Sequence, residues 1–597
     1  MIELLITIYY TLILFGMLVC GVNVLQRIYP DSPVSPPLYY LLSFGFCAVL
    51  ISWLGFAGFF GMKGVVQGSG ILFALYAVWN SSRFYKIIRS SYRSEPYASW
   101  FVTGILLCAC VPKWCYLFGG INNVKDEIRS IALTVAFAAN DLKPAFPFNF
   151  SLPISYSYYF YQIPAFLYAT VSGYRWPSIA LAITSLVAIT LFYIVFTLYI
   201  KAAFPKHNRY TVVIGLLCIT FFGLDIFINT AASSEMHIEW WNDFQVTSMA
   251  SYHHWVYQYL MGLSYALAAL YALAQYMQAP HRHWLYVSAG CTAFCLTFAA
   301  ITGVWLCIVI ALFGAFAMPC MRGHILAALR CLPTALVILS IILLPQLFTF
   351  IERDTLVEWT SPVLWFTRER IEGASLGAWR NNISILCEEL GPLLTSGLLM
   401  VPLYGWDAIR RRQWFLIALL SMAIIIAIGV SVTTARWNDW FWRGSNLFLS
   451  VIATFGIIWI YENWRLVMPE RLIHAAIAVL LLPGIANYAA ESWFRWSSCT
   501  IPPDTIQTIN SSVDLHGVII MDDSFAENDV LLGGRIVFGN QSTGFSKNYI
   551  NLDSFLADSL HVPLNQTPCD TTWFGSASPN GFIVSIVKTK IRLQSCP

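Results

Sequence analysis

The chain has 597 residues and a formal net charge of only +3; 58% of its residues belong to the AVILMFWYC set and 11% are charged. Soluble domains carry about 25% charged residues, so this composition cannot cover a water-facing surface and excludes a soluble enzyme, a disordered chain and a nucleic-acid binder. What it allows is a polytopic membrane protein with a small soluble appendage.

A helix that crosses a bilayer needs about 20 mostly apolar residues. Such runs fall near 4–25, 37–61, 65–81, 98–118, 176–200, 210–230, 255–277, 284–300, 302–318, 325–348, 391–407, 414–433, 445–461 and 470–489. The expected fold class is therefore an all-α polytopic membrane protein with about fourteen transmembrane helices. The first run lacks the basic start and small-residue cleavage site of a signal peptide.

Basic loops mark the cytoplasmic side. They carry Arg83, Lys86, Arg89 and Arg93, then Lys201, Lys206 and Arg209, then Arg282, Arg322, Arg410 to Arg412, Arg465 and Arg471. The less basic stretches 119–175, 231–254, 349–390 and 434–444, and the tail from 490, fall on the opposite side. The run 158–172 (YYFYQIPAFLYATVS) decides the topology. At 1.5 Å per residue it reaches only about 22 Å, short of a core of about 30 Å. If it crossed, every later basic loop would invert. It is expected to lie flat as an interfacial helix, which leaves 119–175 as one outward loop.

Residues 490–597 are rich in Asn, Ser and Asp and alternate like strands in GVIIMDD, GRIVFGN and GFIVSIV. They read as a small extracytoplasmic α/β or β-rich domain. Most of the 15 cysteines lie in apolar runs as small core residues. Cys387, Cys499, Cys569 and Cys596 fall outward, where two disulfides are open in three connectivities. The chain has no P-loop, GxGxxG, GxSxG or HExxH, which argues against an ATP-driven pump and the familiar hydrolases.

The outward loops hold the chemistry. In the first, Asp126 and Glu127 open a segment whose apolar residues recur at 128, 131, 132 and 135, the spacing of an amphipathic helix, with Asp126 and Ser130 on the other face. Asp126 either caps that helix or is a carboxylate held at the membrane surface as a general base. The second loop reads Glu235-Met-His237-Ile-Glu239-Trp240-Trp241, then Tyr252-His253-His254-Trp255. Paired tryptophans beside a carboxylate and histidines suit sugar binding, and equally an interfacial aromatic belt. The same side chains allow a divalent cation, although adjacent histidines on one helix point apart. The third loop, 349–390, mixes charges and is long enough to form a lid. In the fourth, Arg436 and Arg443 stand among Trp437, Trp440 and Trp442; an arginine there either anchors the chain at the interface or forks onto phosphate oxygens.

An outward Asp126-Glu127 pair, an amphipathic helix, the segment Pro153-Ile-Ser-Tyr156-Ser-Tyr158-Tyr159 and a juxtamembrane aromatic helix ending near Arg175 together resemble the GT-C glycosyltransferases. These are polytopic enzymes that take sugars from polyprenyl-phosphate carriers. The His237-x-Glu239-Trp240-Trp241 and His253-His254 segments and the fourth loop are similar to stretches of uncharacterised members. The resemblance implies a GT-C-like core over 98–489, preceded by extra transmembrane helices over 1–97 and followed by a soluble domain over 490–597. It implies Asp126 and Glu127 as catalytic residues and Arg443 and Arg436 as the donor-phosphate site. It places His237, Glu239, Trp240, Trp241, His253, His254 and Tyr158 against sugar or acceptor.

The expected activity is transfer of a sugar, with inversion, from a polyprenyl-phosphate donor to a saccharide or other cell-envelope acceptor. The expected location is the outer face of the inner membrane, with the lipid bilayer as partner, no nucleic acid, and no cofactor beyond the divalent cation left open. Two alternatives stand beside it: a ligase or polymerase using a lipid-linked donor, and a lipid-linked saccharide flippase. A flippase would place ionisable groups deep inside spans and show internal repeats; Asp225 and His474 are the main candidates, both near span ends, and no repeat is seen.

Overall fold

The computed structural model describes residues 2–30, 33–61, 63–82, 85, 89, 95–117, 121–122, 125–144, 158–171, 177–222, 249–254, 257–317, 325–351, 390–422, 439–497, 499–500, 518–521, 536–538, 582–587 and 590–595. Helices dominate. In chain order they are α1 (Ile2–Ile28), α2 (Pro36–Phe56), α3 (Lys63–Trp79), α4 (Pro96–Leu117), α5 (Lys125–Ala139), α6 (Tyr159–Ala169), α7 (Pro177–Ala203), α8 (Arg209–Thr220) and α9 (Met249–His254). There follow α10 (Tyr257–Gln278), α11 (Arg282–Phe298), α12 (Ala300–Ala317), α13 (Ile325–Ile351), α14 (Leu390–Leu399) and α15 (Val401–Arg410). The last three are α16 (414–422), α17 (Asp439–Trp464) and α18 (Glu470–Ser497).

A helix stands at each position where an apolar run was expected, but not every one is a crossing. Seven helices among the described residues are long and apolar enough to cross a membrane: α1, α2, α7, α10, α12, Leu329–Thr349 of α13 and Glu470–Ala490 of α18. The expected fourteen exceeds this in part for local reasons, and α4, α16 and α17 run into residues outside the described set. Helices α3 and α11 have 17 residues each, α8 stops at Thr220, and Met400 separates α14 from α15. Leucines and isoleucines such as Leu4, Leu72, Leu107, Leu336 and Leu399 stand exposed along these helices, an apolar outer surface that a bilayer satisfies and water does not. The chain is a multi-pass membrane protein.

Small residues and freed carbonyls fix how the helices cross. A Cβ on Gly397 of α14 would stand 2.1 Å from the Ala453 carbonyl oxygen of α17, and one on Gly456 would stand 2.1 Å from the Gly397 oxygen, so each glycine admits the backbone of the other helix. Pro345 in α13 cannot donate to the carbonyl four residues back. That carbonyl, of Ile341, accepts instead from Trp53 Nε1 of α2 at 2.9 Å. Tyr159 of α6 donates to the next carbonyl, Ile342. Helix α5 ends where Asp141 and Leu142 take positive φ values of 52° and 63°, and the Leu142 carbonyl packs against Gly55 of α2.

The eleven-residue α6 is too short to span, at about 16 Å. It does not, however, lie at the surface as an interfacial helix. Every residue from Tyr159 to Tyr168 is buried, because α2 and α3 cover one side while α5 and α7 cover the others. Phe166 meets Phe60 and Phe73, and Phe160 stacks on Tyr257 at 5.8 Å. The N-terminal helices thus turn an amphipathic surface element into core.

At the end of the bundle bearing the basic residues, ion pairs and caps hold the helices. Lys201 pairs with Glu95 at 2.5 Å and Arg465 with Glu462 at 2.6 Å. Asn208 and Thr211 form a capping box that starts α8, and Asn208 also donates to Tyr461 at 2.8 Å and Glu470 at 3.2 Å.

Helix α18 runs to Ser497, past the expected domain boundary at 490. Immediately after it, Cys499–Thr500 pairs antiparallel with Ile121–Asn122, the residues just ahead of α5. The tail contributes a four-stranded sheet in which Val518–Met521 lies parallel to Ile536–Phe538 on one side and to Phe582–Val587 on the other. Lys590–Ser595 adds an antiparallel edge. Among the described residues beyond 500 there are strands and no helix, so the helical part of an α/β domain is not shown.

Candidate functional site

The described polar side chains converge at the start of α10. Four residues form the hub: His253 and His254 at the end of α9, and Tyr257 and Gln258 in the first turn of α10. All four are buried. They join α4, α6, α7 and α18.

His253 is wholly buried between two tyrosines. Its Nε2 lies 3.3 Å from Tyr193 Oη of α7, and its Nδ1 lies 2.9 Å from Tyr488 Oη of α18. The proton positions follow from the far end of the chain. Thr220 of α8 donates to the Leu216 carbonyl at 2.7 Å, so it accepts from Tyr193 at 2.6 Å. Tyr193 has then spent its proton and accepts from Nε2–H of His253, whose Nδ1 accepts from Tyr488. Burial, and then the nearby Lys113 ammonium, push the His253 pKa down to about 3, which keeps the ring neutral and suits this single-tautomer chain. His254 Nε2 lies 3.1 Å from Ser492 Oγ, one turn beyond Tyr488 on α18.

Lys113, in the last turns of α4, is only 4% exposed. Its Nζ donates to Tyr257 Oη at 2.7 Å and sits 4.3 Å from the centre of that ring. Tyr257 accepts because its own proton goes to the His254 carbonyl. Beside it, Gln258 Oε1 accepts from Tyr161 Oη of α6 at 3.2 Å, and Ser130 Oγ of α5 lies 3.4 Å from the same hydroxyl.

Ser130, which shares a face with Asp126 in the sequence pattern, is 1% exposed, and Thr134, one turn on, is also buried. From 130 to 138 the described side chains of α5 are buried on both faces, Ile131, Leu133 and Phe137 included. Asp126 stands one turn before Ser130.

The residues picked from sequence are placed as follows. Asp126 and Glu127 stand in the first turn of α5 and Arg443 in the second turn of α17; their side chains lie outside the described set. Arg436, His237, Glu239, Trp240 and Trp241, like Asp225, lie outside the described residues. His253 and His254 are described, but neither forms an exposed sugar platform: both are buried among the helices, and the ring nitrogens of His253 are engaged by tyrosines. Tyr158 is likewise fully buried, at the start of α6 against Phe137 at 5.8 Å. Among the described residues no three His, Cys, Asp or Glu side chains converge where a metal could sit.

Sequence reasoning missed Lys113, Tyr161, Tyr193, Gln258 and Tyr488. Lys113 was findable, since it is the sole charged residue of the apolar run 98–118, and an ionisable group inside a span marks a functional site by default. The tyrosines carried no comparable signal, because tyrosine in an apolar run also reads as interface or core. No family model matches the chain, and no curated protein is similar to it.

Proposed function

We propose that the protein is a membrane glycosyltransferase that moves a sugar from a polyprenyl-phosphate donor to a cell-envelope acceptor on the extracytoplasmic side of the inner membrane. The observation that supports this most is the contact of Ser130, one turn after Asp126 on α5, with Tyr161 and through it with Gln258, beside the buried Lys113 and Tyr257. In this reading about fourteen helices cross the bilayer, the core over 98–489 is GT-C-like, and the tail forms an extracytoplasmic α/β domain.

The chemistry needs a base and a cation. Asp126, assisted by Glu127, takes the proton of an acceptor hydroxyl. The freed oxygen attacks the anomeric carbon, the bond from that carbon to the phosphate oxygen breaks, and polyprenyl phosphate departs with the electron pair, inverting the sugar. Arg443 and Arg436 bind the phosphate, and Lys113 adds a positive charge in a low-dielectric setting where it counts for more than in water. His237, Glu239, Trp240 and Trp241 contact the sugar; His253 and His254 act one step behind, by holding α9 and the start of α10.

Sugar transfer in proteoliposomes tests the reading. Wild type is compared with Asp126→Asn on a panel of radiolabelled polyprenyl-phosphate sugars, with and without EDTA to test for a divalent cation, using membrane extract as acceptor source. Transfer by wild type and a loss of about 100-fold or more in a folded Asp126→Asn protein are expected. Growth of the labelled product into long chains would favour the ligase or polymerase. Movement of labelled lipid between leaflets without donor consumption would replace the enzyme by a flippase, a role the buried Lys113 would also suit.

A further inference from the structure

We infer that α15 and the turn after it form a binding site for the headgroup of an anionic phospholipid, built on Trp406, Arg410 and Arg412. Three observations carry it, none of which depends on the transferase reading.

The first is an exposed stripe. Leu403 and Trp406 stand three residues apart on α15 and are 56% and 71% exposed, and Leu399, the last residue of α14, is 70% exposed just before them, while Tyr404, Gly405 and Ala408 of α15 are buried. One turn beyond Trp406 the same stripe ends in Arg410. Acyl chains satisfy the apolar part and a headgroup phosphate its basic end.

The second is the charge balance. Asp407 is the acid of this helix, and Arg411 takes it at 2.7 Å while Trp459 Nε1 approaches its other oxygen at 3.4 Å. Arg410 and Arg412 are left without a carboxylate among the described residues. Nor are they needed to neutralise the helix end. The Gln413 amide donates to the Ala408 carbonyl at 2.9 Å and the Arg412 amide to the Ile409 carbonyl at 3.2 Å, so the backbone closes that end by itself.

The third is backbone strain. This pair of hydrogen bonds is a Schellman closure, and the residue that must turn left-handed in it is Arg412, at φ 53°. Glycine takes that position at no steric cost, whereas an L side chain meets its neighbouring carbonyl. The chain nonetheless holds a third consecutive arginine there. Strain kept at a position with no structural need for the side chain points to a binding role. Arg410 and Arg412 are two residues apart around a tight turn, a spacing that lets two guanidinium groups share one phosphate.

The test measures the unfolding temperature of the purified full chain in detergent, titrated with phosphatidylglycerol, with phosphatidylcholine or with inorganic phosphate. Phosphatidylglycerol is expected to raise the Tm and the other two are not. In Arg412→Gly the basal Tm should equal or exceed that of wild type, because the strain is relieved, yet the phosphatidylglycerol shift should fall by at least half. Arg410→Gln should lose the shift similarly without the gain in basal Tm. A full shift in both variants, an equal response to phosphatidylcholine, or a response to inorganic phosphate that matches the lipid's would each overturn the headgroup site.

Discussion

The two ends of the helix bundle solve the problem of polar groups in opposite ways. At the basic end, charges meet opposite charges at short range: Lys201 with Glu95, Arg465 with Glu462, and Asn208 capping α8 while reaching Glu470. These contacts are local, partly open to solvent, and each locks one helix end. At the other end the described polar groups are buried and mostly uncharged. They form directional chains, Tyr488 to His253 to Tyr193 to Thr220, and Ser130 to Tyr161 to Gln258, beside the Lys113 ammonium. Ion pairs at a solvated edge are worth little individually. Buried, oriented chains cannot be rearranged cheaply, because any break leaves a donor or acceptor unsatisfied. The ion pairs and caps serve the fold; the buried chains have the character of a site.

That contrast can be broken by substitution. The largest effect is expected for Lys113→Met, which keeps the volume of the side chain and removes the buried charge. Replacement of a buried charge by a packed apolar group is often neutral for stability, so the Tm should hold while sugar transfer falls by about 100-fold. Retained transfer would reduce Lys113 to a structural role. Next, His253→Ala removes the brace between α7 and α18, losing its hydrogen bonds to Tyr193 and Tyr488 and leaving a cavity. A loss of about 3 kcal/mol is expected, measured by thermal or denaturant unfolding.

The same histidine predicts a pH dependence. Its pKa in the folded protein is lowered to about 3 from 6.5, so the unfolded chain binds the extra proton first. The His253 contribution is fully present above pH 6.5 and is lost as the pH falls toward 3, with a slope of at most about 1.4 kcal/mol per unit. The Tm measured across this window should fall with acidification, and His253→Gln should flatten the fall. The smallest effect belongs to the basic end: Glu95→Gln, which breaks the pair with Lys201, should cost no more than about 1 kcal/mol and leave transfer unchanged. A larger effect there than at His253 would reverse the comparison.

Much of the helical architecture was legible because apolar run length is a strong signal. Helices stand at all the expected positions, and the short aromatic run became the non-spanning α6. The alternating tail segments lie in strands at Val518–Met521, Ile536–Phe538 and Phe582–Val587. Orientation of faces was less legible. The amphipathic pattern of α5 separates an apolar face from one carrying Asp126 and Ser130 without saying which meets other helices, and the structure buries Ser130 and Ile131 alike. Burial of α6 also escaped, because it depends on α2 and α3 folding over it from far upstream. The His253 chain was illegible for the same reason: its members come from α7, α8, α9 and α18, and nothing local in the sequence joins them.

The two-residue ladder between Ile121–Asn122 and Cys499–Thr500 has a consequence for the order of assembly. The segment that leads into α5 is synthesised early, yet its partner strand follows the last helix of the bundle. During biogenesis the loop ahead of Asp126 therefore waits, without its clasp, until α18 has entered the membrane. A nascent chain that stops short of Cys499 would carry the described helices of the bundle and still lack this pairing.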